Sequence, residues 1–293
     1  MLALSSKSCS VPRHSSFEPL ASPPCQLPLS ELGASFFSAH SSWRLPCDTA
    51  CKAGRGRSVG LSDTIHRFTV QRSLAEPLNY RLRVLAQDAA AADAGVSRSN
   101  LGGYQSRADL FLPGEDADAD RLGSSGRALH GIVSAAMEEL RALRASAAQR
   151  EEAPQPAGEP HSAYAWLNVN RPTDSNLMHV HDPERYSAVY FVAAGGSVSH
   201  GSAQPALLQS LAGRLIFRGG RSSRDASHTY LSALPEPGCL WVFPGIVPHC
   251  VMPFSAAATA AAVQTKLVSS PTAARISVAI NLTDDRDAVP APT

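Results

Sequence analysis

The fold is decided around the stretch Asn176-Leu-Met-His-Val-His-Asp-Pro183, in which a single residue separates His179 from His181. Successive side chains of a β-strand point to opposite faces, so residues at positions i and i+2 project from the same face. Neutral imidazole is the commonest protein ligand of a catalytic transition metal. The stretch therefore predicts a strand that presents two metal ligands on one face.

The segments around this stretch have the two-residue period of β-strands. Before it, polar or aromatic residues at 164, 166, 168 and 170 alternate with apolar ones, which indicates a strand with a wet or functional face. Turn residues, and no helical pattern, separate the segments that follow. We expect an antiparallel all-β barrel or jelly roll in residues 161–283. The later predicted strands lie near residues 187–192, 213–217, 239–243, 249–253 and 275–281.

Two later strands add residues that suit a metal site. His249 follows the strand and turn of Pro237–His249, and Arg275-Ile-Ser277 begins the last strand. On that strand Arg275, Ser277 and Asn281 share one face, which we expect to look into the barrel mouth. The alternate apolar residues, 276, 278 and 280, are expected to lie in the core between the two sheets.

The order His-x-His, distant His and Arg-x-Ser resembles the iron(II)- and 2-oxoglutarate-dependent (2OG-Fe(II)) oxygenases. It is most similar to a group with the pattern W-x-N … N-x-x-H-x-H … S-x-x-Y-Y … P-x-x-G-x-L-x-x-F-P … H … R-x-S. The resemblance covers roughly residues 97–283 and implies a double-stranded β-helix. It implies Fe(II) held by His179, His181 and His249, with O2 and the cosubstrate 2-oxoglutarate, whose distal carboxylate would bind Arg275 and Ser277. The implied reaction hydroxylates an unidentified small-molecule or peptide substrate and releases succinate and CO2.

The sequence departs from the family pattern at two positions. His181 stands where most of the superfamily has Asp or Glu, and the neighbouring Asp182 would point away on an alternating strand. Phe191 follows Tyr190 where the resembled group has a second tyrosine. Two other functions stay open: a cupin-like three-histidine metalloenzyme that uses no ketoacid, and an inactive barrel that acts as a binding module. Arg275-x-Ser277 argues against the first, and the intact set of ligands argues against the second.

The front of the chain has a different composition. Residues 1–60 hold 13 serines, three acidic residues and six Lys or Arg. This composition predicts a disordered segment or a transit peptide, and hence a plastid or mitochondrial protein, with a cytoplasmic one as the alternative. Four of the six cysteines lie here, so the barrel keeps only Cys239 and Cys250, which suits a reducing compartment.

The region between this segment and the barrel, residues 61–160, is predicted to flank the barrel. Residues 127–149 repeat apolar side chains with helical spacing and predict a helix packed on a sheet. Residues 86–94 suggest a short helix or linker. Residues 255–270 suggest an inserted surface loop, and 284–293 a tail. A formal net charge of +1 without a basic stripe argues against nucleic acid, and no apolar run is long enough for a membrane span.

Overall fold

A computed structural model of the 293-residue chain describes residues 36–45, 64–111, 123–151, 160–182, 184–195, 211–221, 227–254 and 274–284. In this part of the chain two antiparallel sheets and two helices form the fold, which confirms the mainly-β, jelly-roll prediction. Neither described helix is both long and apolar enough to cross a membrane. In chain order the elements are β1 (Phe37–Arg44), β2 (Thr64–Val70), α1 (Arg72–Ala92), β3 (Asn100–Leu101), β4 (Tyr104–Gln105), α2 (Gly123–Glu151), β5 (Pro160–Asn170), β6 (Ser175–His179), β7 (Tyr186–Ala194), β8 (Leu215–Arg221), β9 (His228–Ala233), β10 (Cys239–Pro244), β11 (His249–Val251) and β12 (Arg275–Asp284).

The larger sheet has seven strands in the order β1-β2-β10-β7-β12-β5-β4, and the smaller has five in the order β3-β6-β11-β8-β9. Their facing sides enclose an apolar core, which includes Phe191, Phe217, Trp241 and Phe243. Each of these strands places alternate residues in that core, as the two-residue period requires. His179 and His249 lie on the smaller sheet, His181 follows the strand of His179, and Arg275 lies on the larger sheet.

Helices α1 and α2 cover the outer face of the larger sheet and form a second core with it. Ile276, Val278 and Ile280 of β12 lie in this second core. The expectation that they would lie between the two sheets is therefore wrong, because the helices supply the apolar layer that these side chains need. The opposite face of β12 is consequently the one that points into the barrel, and it carries the polar residues.

Helix α2 confirms the helix predicted at 127–149 and extends it to residues 123–151. Its predicted apolar face is buried from Leu129 to Leu140, whereas Leu143 is 45% exposed. Helix α1 is much longer than the short helix or linker expected at 86–94, since it begins at Arg72 and contains Pro77. A proline inside a helix and an alanine-rich end weaken the sequence signal, and the burial of Leu74, Leu78 and Leu82 compensates.

Strand β1 is a correction to the front of the chain. Residues 37–44 were expected to belong to a disordered or transit-peptide-like segment, yet they pair with β2 along its whole length. The Phe37 and Phe68 rings are tilted against each other with centroids 4.8 Å apart, and Trp43 stacks on Trp241 at 5.1 Å. A targeting segment that is removed without loss of this strand has to end before Phe36.

Strand β9 was also missed by the sequence analysis. It pairs with β8 from Leu215↔Ala233 to Arg218↔Tyr230 and forms one edge of the smaller sheet. Its residues have mixed exposure and no clean alternation, which explains the weak signal. The loop expected at 255–270 and the tail at 284–293 lie outside the described residues, except for Asp284.

Removal of residues 1–60 is expected to destabilise the fold, whereas removal of residues 1–35 is expected to leave it intact. The longer deletion takes away β1, exposes the hydrogen-bonding edge of β2 and uncovers Trp241. Thermal unfolding monitored by circular dichroism should show a lower Tm only for the longer deletion, together with a greater tendency to aggregate. Equal Tm values for the two shortened proteins would show that β1 contributes nothing to stability.

Candidate metal centre

The three histidines predicted from the sequence meet at one end of the smaller sheet. His179 ends β6, His181 follows two residues later, and His249 begins β11 directly opposite His179. One ring nitrogen of each lies within 4.8 Å of those of the other two. Within the described ranges, these three imidazoles are the group with the geometry to hold a metal ion, and Asp182 is exposed and outside it.

A bulge in β6 aims His179 into the barrel. His179 pairs with His249, but Asn176, three residues earlier, pairs with Val251, only two residues later. The extra residue in β6 lets both Asn176 and His179 face the interior, and the intervening Leu177 and Met178 are 57% and 40% exposed. A regular strand would have sent Asn176 and His179 to opposite faces.

His181 is held in place by backbone hydrogen bonds rather than by a strand. Its backbone N–H donates to the carbonyl of Gly245 at 2.8 Å, and its own carbonyl accepts from Glu184 N–H at 2.8 Å. A Cβ at position 245 would lie 2.3 Å from the Glu184 carbonyl oxygen and 2.7 Å from that of His181. Only glycine fits at this approach, so the turn after β10 positions His181 beside His249.

The imidazoles are neutral, and those of His179 and His249 each present a free nitrogen. Nδ1–H of His179 donates to the Leu177 carbonyl at 2.7 Å, and Nδ1–H of His249 donates to that of Val247 at 2.9 Å. Such bonds fix the tautomer and leave Nε2 with its lone pair for a metal. Burial lowers the pKa of His179, lowers that of His181 to about 4 with a contribution from His179, and lowers that of His249 well below its ordinary range.

Arg275 lies in the barrel interior with an incomplete set of partners. It is 1% exposed, its guanidinium lies 5.0 Å from the centre of the Phe191 ring, and Nη1 donates to Asn170 Oδ1 at 3.4 Å. Nε and Nη2 have no hydrogen-bond partner among the described residues. Burial lowers the pKa of Arg275 to about 10, so the side chain is still charged at neutral pH.

A short chain of amides joins Arg275 to the strand that carries His179. Asn170, which accepts from the guanidinium, donates through Nδ2 to Oδ1 of Asn176 at 3.2 Å. Asn176 precedes His179 by three residues, or roughly 10 Å of extended chain. Ser277 is 2% exposed, and its position on β12 puts it on the same face as Arg275. The buried cation and the imidazoles therefore belong to one polar interior.

The register of β7 shows which way Phe191 points, the residue that stands where the resembled group has a second tyrosine. Phe191 pairs with Ser277 and lies in the core between the sheets, beneath the Arg275 guanidinium. Tyr190 faces the helices, where burial raises the pKa of its hydroxyl. The second residue of the pair is thus the one that faces the interior, and here it offers an aromatic face in place of a hydroxyl group.

A second set of interior residues, for which the sequence predicted no role, lies beside His181. Asn281, Ser187 and Tyr164 are hydrogen bonded to one another there, and Asn281 also contacts the His181 ring. The alternation of the strands does predict that Asn281 shares a face with Arg275, and Tyr164 a face with Trp166. It did not show that the three side chains meet at a histidine.

Residues 164–263 match the family model described as "Putative 2OG-Fe(II) oxygenase". Over these residues, which are about a third of the chain, the chain is similar to the 2OG-Fe(II) oxygenase family. The matched segment contains all three histidines of the metal centre and ends before Arg275. The family that this segment matches uses Fe(II), 2-oxoglutarate and O2, and the three neutral imidazoles are compatible with iron.

The chain is also similar, at low identity, to several solved structures. A Pseudomonas putida prolyl-4-hydroxylase is 16% identical with a TM-score of 0.38, covering 75% of this chain and 92% of its own. SnoK, a non-heme alpha-ketoglutarate-dependent carbocyclase, is 10% identical at 0.43, covering 74% and 79%. AviO1 from Streptomyces viridochromogenes Tue57 is 15% identical at 0.40, covering 77% and 92%. No curated protein matches the chain. At these identities and scores, the similarity to the 2OG-Fe(II) oxygenases rests on the sequence match.

The metal-free protein is expected to lose stability as the pH falls from 6.5 towards 4. Because burial lowers the folded-state pKa of His181 from 6.5 to about 4, the unfolded chain takes up its proton first in this window. The contribution of His181 to the free energy of unfolding is complete above pH 6.5. At pH 4 about 3 kcal/mol of it is lost.

Urea unfolding of metal-free wild type and His181→Asn at several pH values measures this contribution. Asparagine does not titrate. Between pH 7 and pH 4, the unfolding free energy of wild type should therefore fall by about 3 kcal/mol more than that of His181→Asn. A difference that does not change with pH would contradict the burial of a neutral imidazole.

Proposed function

We propose that this protein is an Fe(II)- and 2-oxoglutarate-dependent dioxygenase that hydroxylates a C–H bond of a small-molecule or peptide substrate. The observation that carries the proposal is Arg275, a fully buried cation with two unpaired donors in the same interior as three neutral imidazoles. A buried charge without a partner is costly, so a site that keeps one is suited to an anionic ligand.

The histidines fit the metal that the family implies. In this proposal Fe(II) would be held by ring nitrogens of His179, His181 and His249. Imidazole is a suitable ligand for divalent iron. These three side chains would hold the iron, and the ketoacid and O2 would bind to it as well. When bound, the iron supplies the oxidation chemistry that couples 2-oxoglutarate decarboxylation to hydroxylation, and the protein supplies binding and orientation.

Arg275 fits the distal carboxylate of 2-oxoglutarate. A guanidinium offers a planar fork that matches a carboxylate bidentately, and Nε with Nη2 is the pair of adjacent donors left unpaired. Phe191 beneath the guanidinium keeps water from one face of the pair. Ser277, on the same face of β12, is placed to donate its hydroxyl hydrogen to the same carboxylate. The reaction products in this proposal are succinate, CO2 and the hydroxylated substrate.

Uncoupled decarboxylation of 2-oxoglutarate to succinate tests the cosubstrate, since it needs no known substrate. We expect Arg275→Ala to raise the apparent 2-oxoglutarate constant about a hundredfold or more, because two charge-assisted hydrogen bonds of about 1.5–3 kcal/mol each are lost. Arg275→Lys keeps the charge without the fork and should fall between wild type and Ala. Arg171→Ala, at an exposed arginine on the same barrel, is the matched control and should match wild type.

Two outcomes of that assay would count against the proposal. If wild type binds Fe(II) but forms no succinate, the ketoacid is not its cosubstrate and the cupin-like three-histidine enzyme takes its place. If Arg275→Ala is indistinguishable from wild type, the carboxylate binds elsewhere.

Removal of single histidines tests the metal centre separately. His249→Ala is expected to lower Fe(II) affinity by more than the roughly 10–100-fold typical of residues that only support a ligand. His181→Asp should retain metal, because it restores the carboxylate found at this position in most of the superfamily. His228→Ala on β9, outside the cluster, is the control. Anaerobic titration with Fe(II) measures the affinity of all three variants. If His249→Ala binds Fe(II) as tightly as wild type, His249 is not a metal ligand.

A further inference from the structure

A polar cluster centred on the buried Asn281 contacts the ring of His181. Asn281 Nδ2 donates to His181 Nδ1 at 3.1 Å and to the Tyr164 hydroxyl at 2.9 Å. Ser187 Oγ–H donates to Asn281 Oδ1 at 2.8 Å, and the Tyr164 hydroxyl donates to a Glu184 carboxylate oxygen. Every polar hydrogen and the acceptor oxygen of the Asn281 amide therefore has a partner.

Three adjacent strands build this cluster. Asn281 of β12 lies opposite Tyr164 of β5 on one side and Ser187 of β7 on the other, so the register alone brings the three side chains together. Asn281 and Ser187 are 3% and 2% exposed. Burial raises the pKa of Tyr164 to about 12, so its hydroxyl keeps its proton at neutral pH. Of the three histidines of the metal centre, the cluster contacts His181.

His181 differs from the other two histidines in the partner of its Nδ1. His179 and His249 face backbone carbonyls, which only accept and so fix Nδ1–H. Asn281 carries both an acceptor and a donor, and a rotation of its amide by 180° exchanges them. With Nδ2 towards the ring, Nδ1 accepts and the neutral ring has its proton on Nε2. With Oδ1 towards the ring, Nδ1 carries the proton and Nε2 has a free lone pair.

We propose that Asn281 is a positioning residue that sets the tautomer of His181, and that metal binding requires its amide oxygen to face the ring. The inference rests on the proposed metal centre but does not involve 2-oxoglutarate. In the rotated state Oδ1 accepts from His181 Nδ1–H and from the Tyr164 hydroxyl, and Nδ2 donates to Ser187 Oγ. The cost is the hydrogen bond from Tyr164 to Glu184, which the hydroxyl gives up when it turns.

Two substitutions at this position separate tautomer control from a merely structural role. Asn281→Asp offers only acceptors, so His181, Tyr164 and Ser187 can all donate to it and the ring is held with Nδ1–H. Asn281→Leu keeps the approximate volume and offers nothing. Asn79→Leu, the same exchange at a buried asparagine of helix α1, controls for the general cost of removing a buried amide.

The measurement is Zn(II) affinity by competition with a chromophoric chelator, combined with long-range ¹H–¹⁵N spectra of the histidine rings. We expect Asn281→Asp to bind Zn(II) as tightly as wild type or more tightly, and Asn281→Leu to bind about 10–100-fold more weakly. Asn79→Leu should match wild type. The spectra should show His181 with its proton on Nε2 in metal-free wild type and on Nδ1 after Zn(II) is added.

A purely structural role predicts a different order, because a buried carboxylate is harder to accommodate than a leucine. The proposal is overturned if Asn281→Leu binds Zn(II) as wild type does, or if Asn281→Asp is as weak as Asn281→Leu. Wild type that binds Zn(II) but fails to decarboxylate 2-oxoglutarate would refute the dioxygenase function and leave this result standing. Wild type that binds no Zn(II) would refute the inference itself.

Discussion

The antiparallel pairing of β5 with β12 is the constraint on which the rest of the site depends. It runs from Arg275↔Asn170 to Asn281↔Tyr164 without a break in register. Because both strands alternate, one face of the pair is apolar and packs under helices α1 and α2, and the other is polar and points into the barrel. A slip of one residue would turn the guanidinium towards the helices and the isoleucines towards the metal centre.

The polar face of the β5–β12 pair is hydrogen bonded differently at its two ends. At one end Arg275 is held loosely, with a single long hydrogen bond to Asn170 and an aromatic ring beneath it. That arrangement leaves donors for a ligand. At the other end Asn281 has every donor and acceptor used, and it holds the ring of His181. The same strand thus carries a guanidinium with unpaired donors at one end and a fully hydrogen-bonded amide beside an imidazole at the other.

The smaller sheet adds what the larger one lacks. His179 and His249 come together because β6 pairs with β11, and the bulge in β6 turns Asn176 and His179 to the same side. Asn176 then contacts Asn170, so the two sheets are joined by amides beside the imidazoles. The glycine after β10 allows His181 to approach as the third member. The cluster is therefore a product of strand pairing, a bulge and one close backbone contact.

The sequence predicts the parts of this arrangement that depend on local period and spacing. The mainly-β fold, helix α2 and the grouping of the three histidines follow from alternation, helical spacing and His-x-His. Strand β1 was missed because its flanking composition is that of a leader, and α1 because Pro77 and the alanines weaken its pattern. The side of β12 that faces the helices could not be read from alternation, which separates two faces without saying which one is inside. Likewise the contact of Asn281 with His181 depends on register between distant strands.

The central claim is that the metal centre and the buried cation together bind a ketoacid. Anaerobic addition of 2-oxoglutarate to the Fe(II)-loaded protein tests it most directly, because chelation of iron by a ketoacid gives a weak visible charge-transfer band. The account predicts that this band appears and saturates with one 2-oxoglutarate per protein, and that succinate, which lacks the keto group, produces none. An Fe(II)-loaded protein whose spectrum is unchanged by saturating 2-oxoglutarate would contradict the claim.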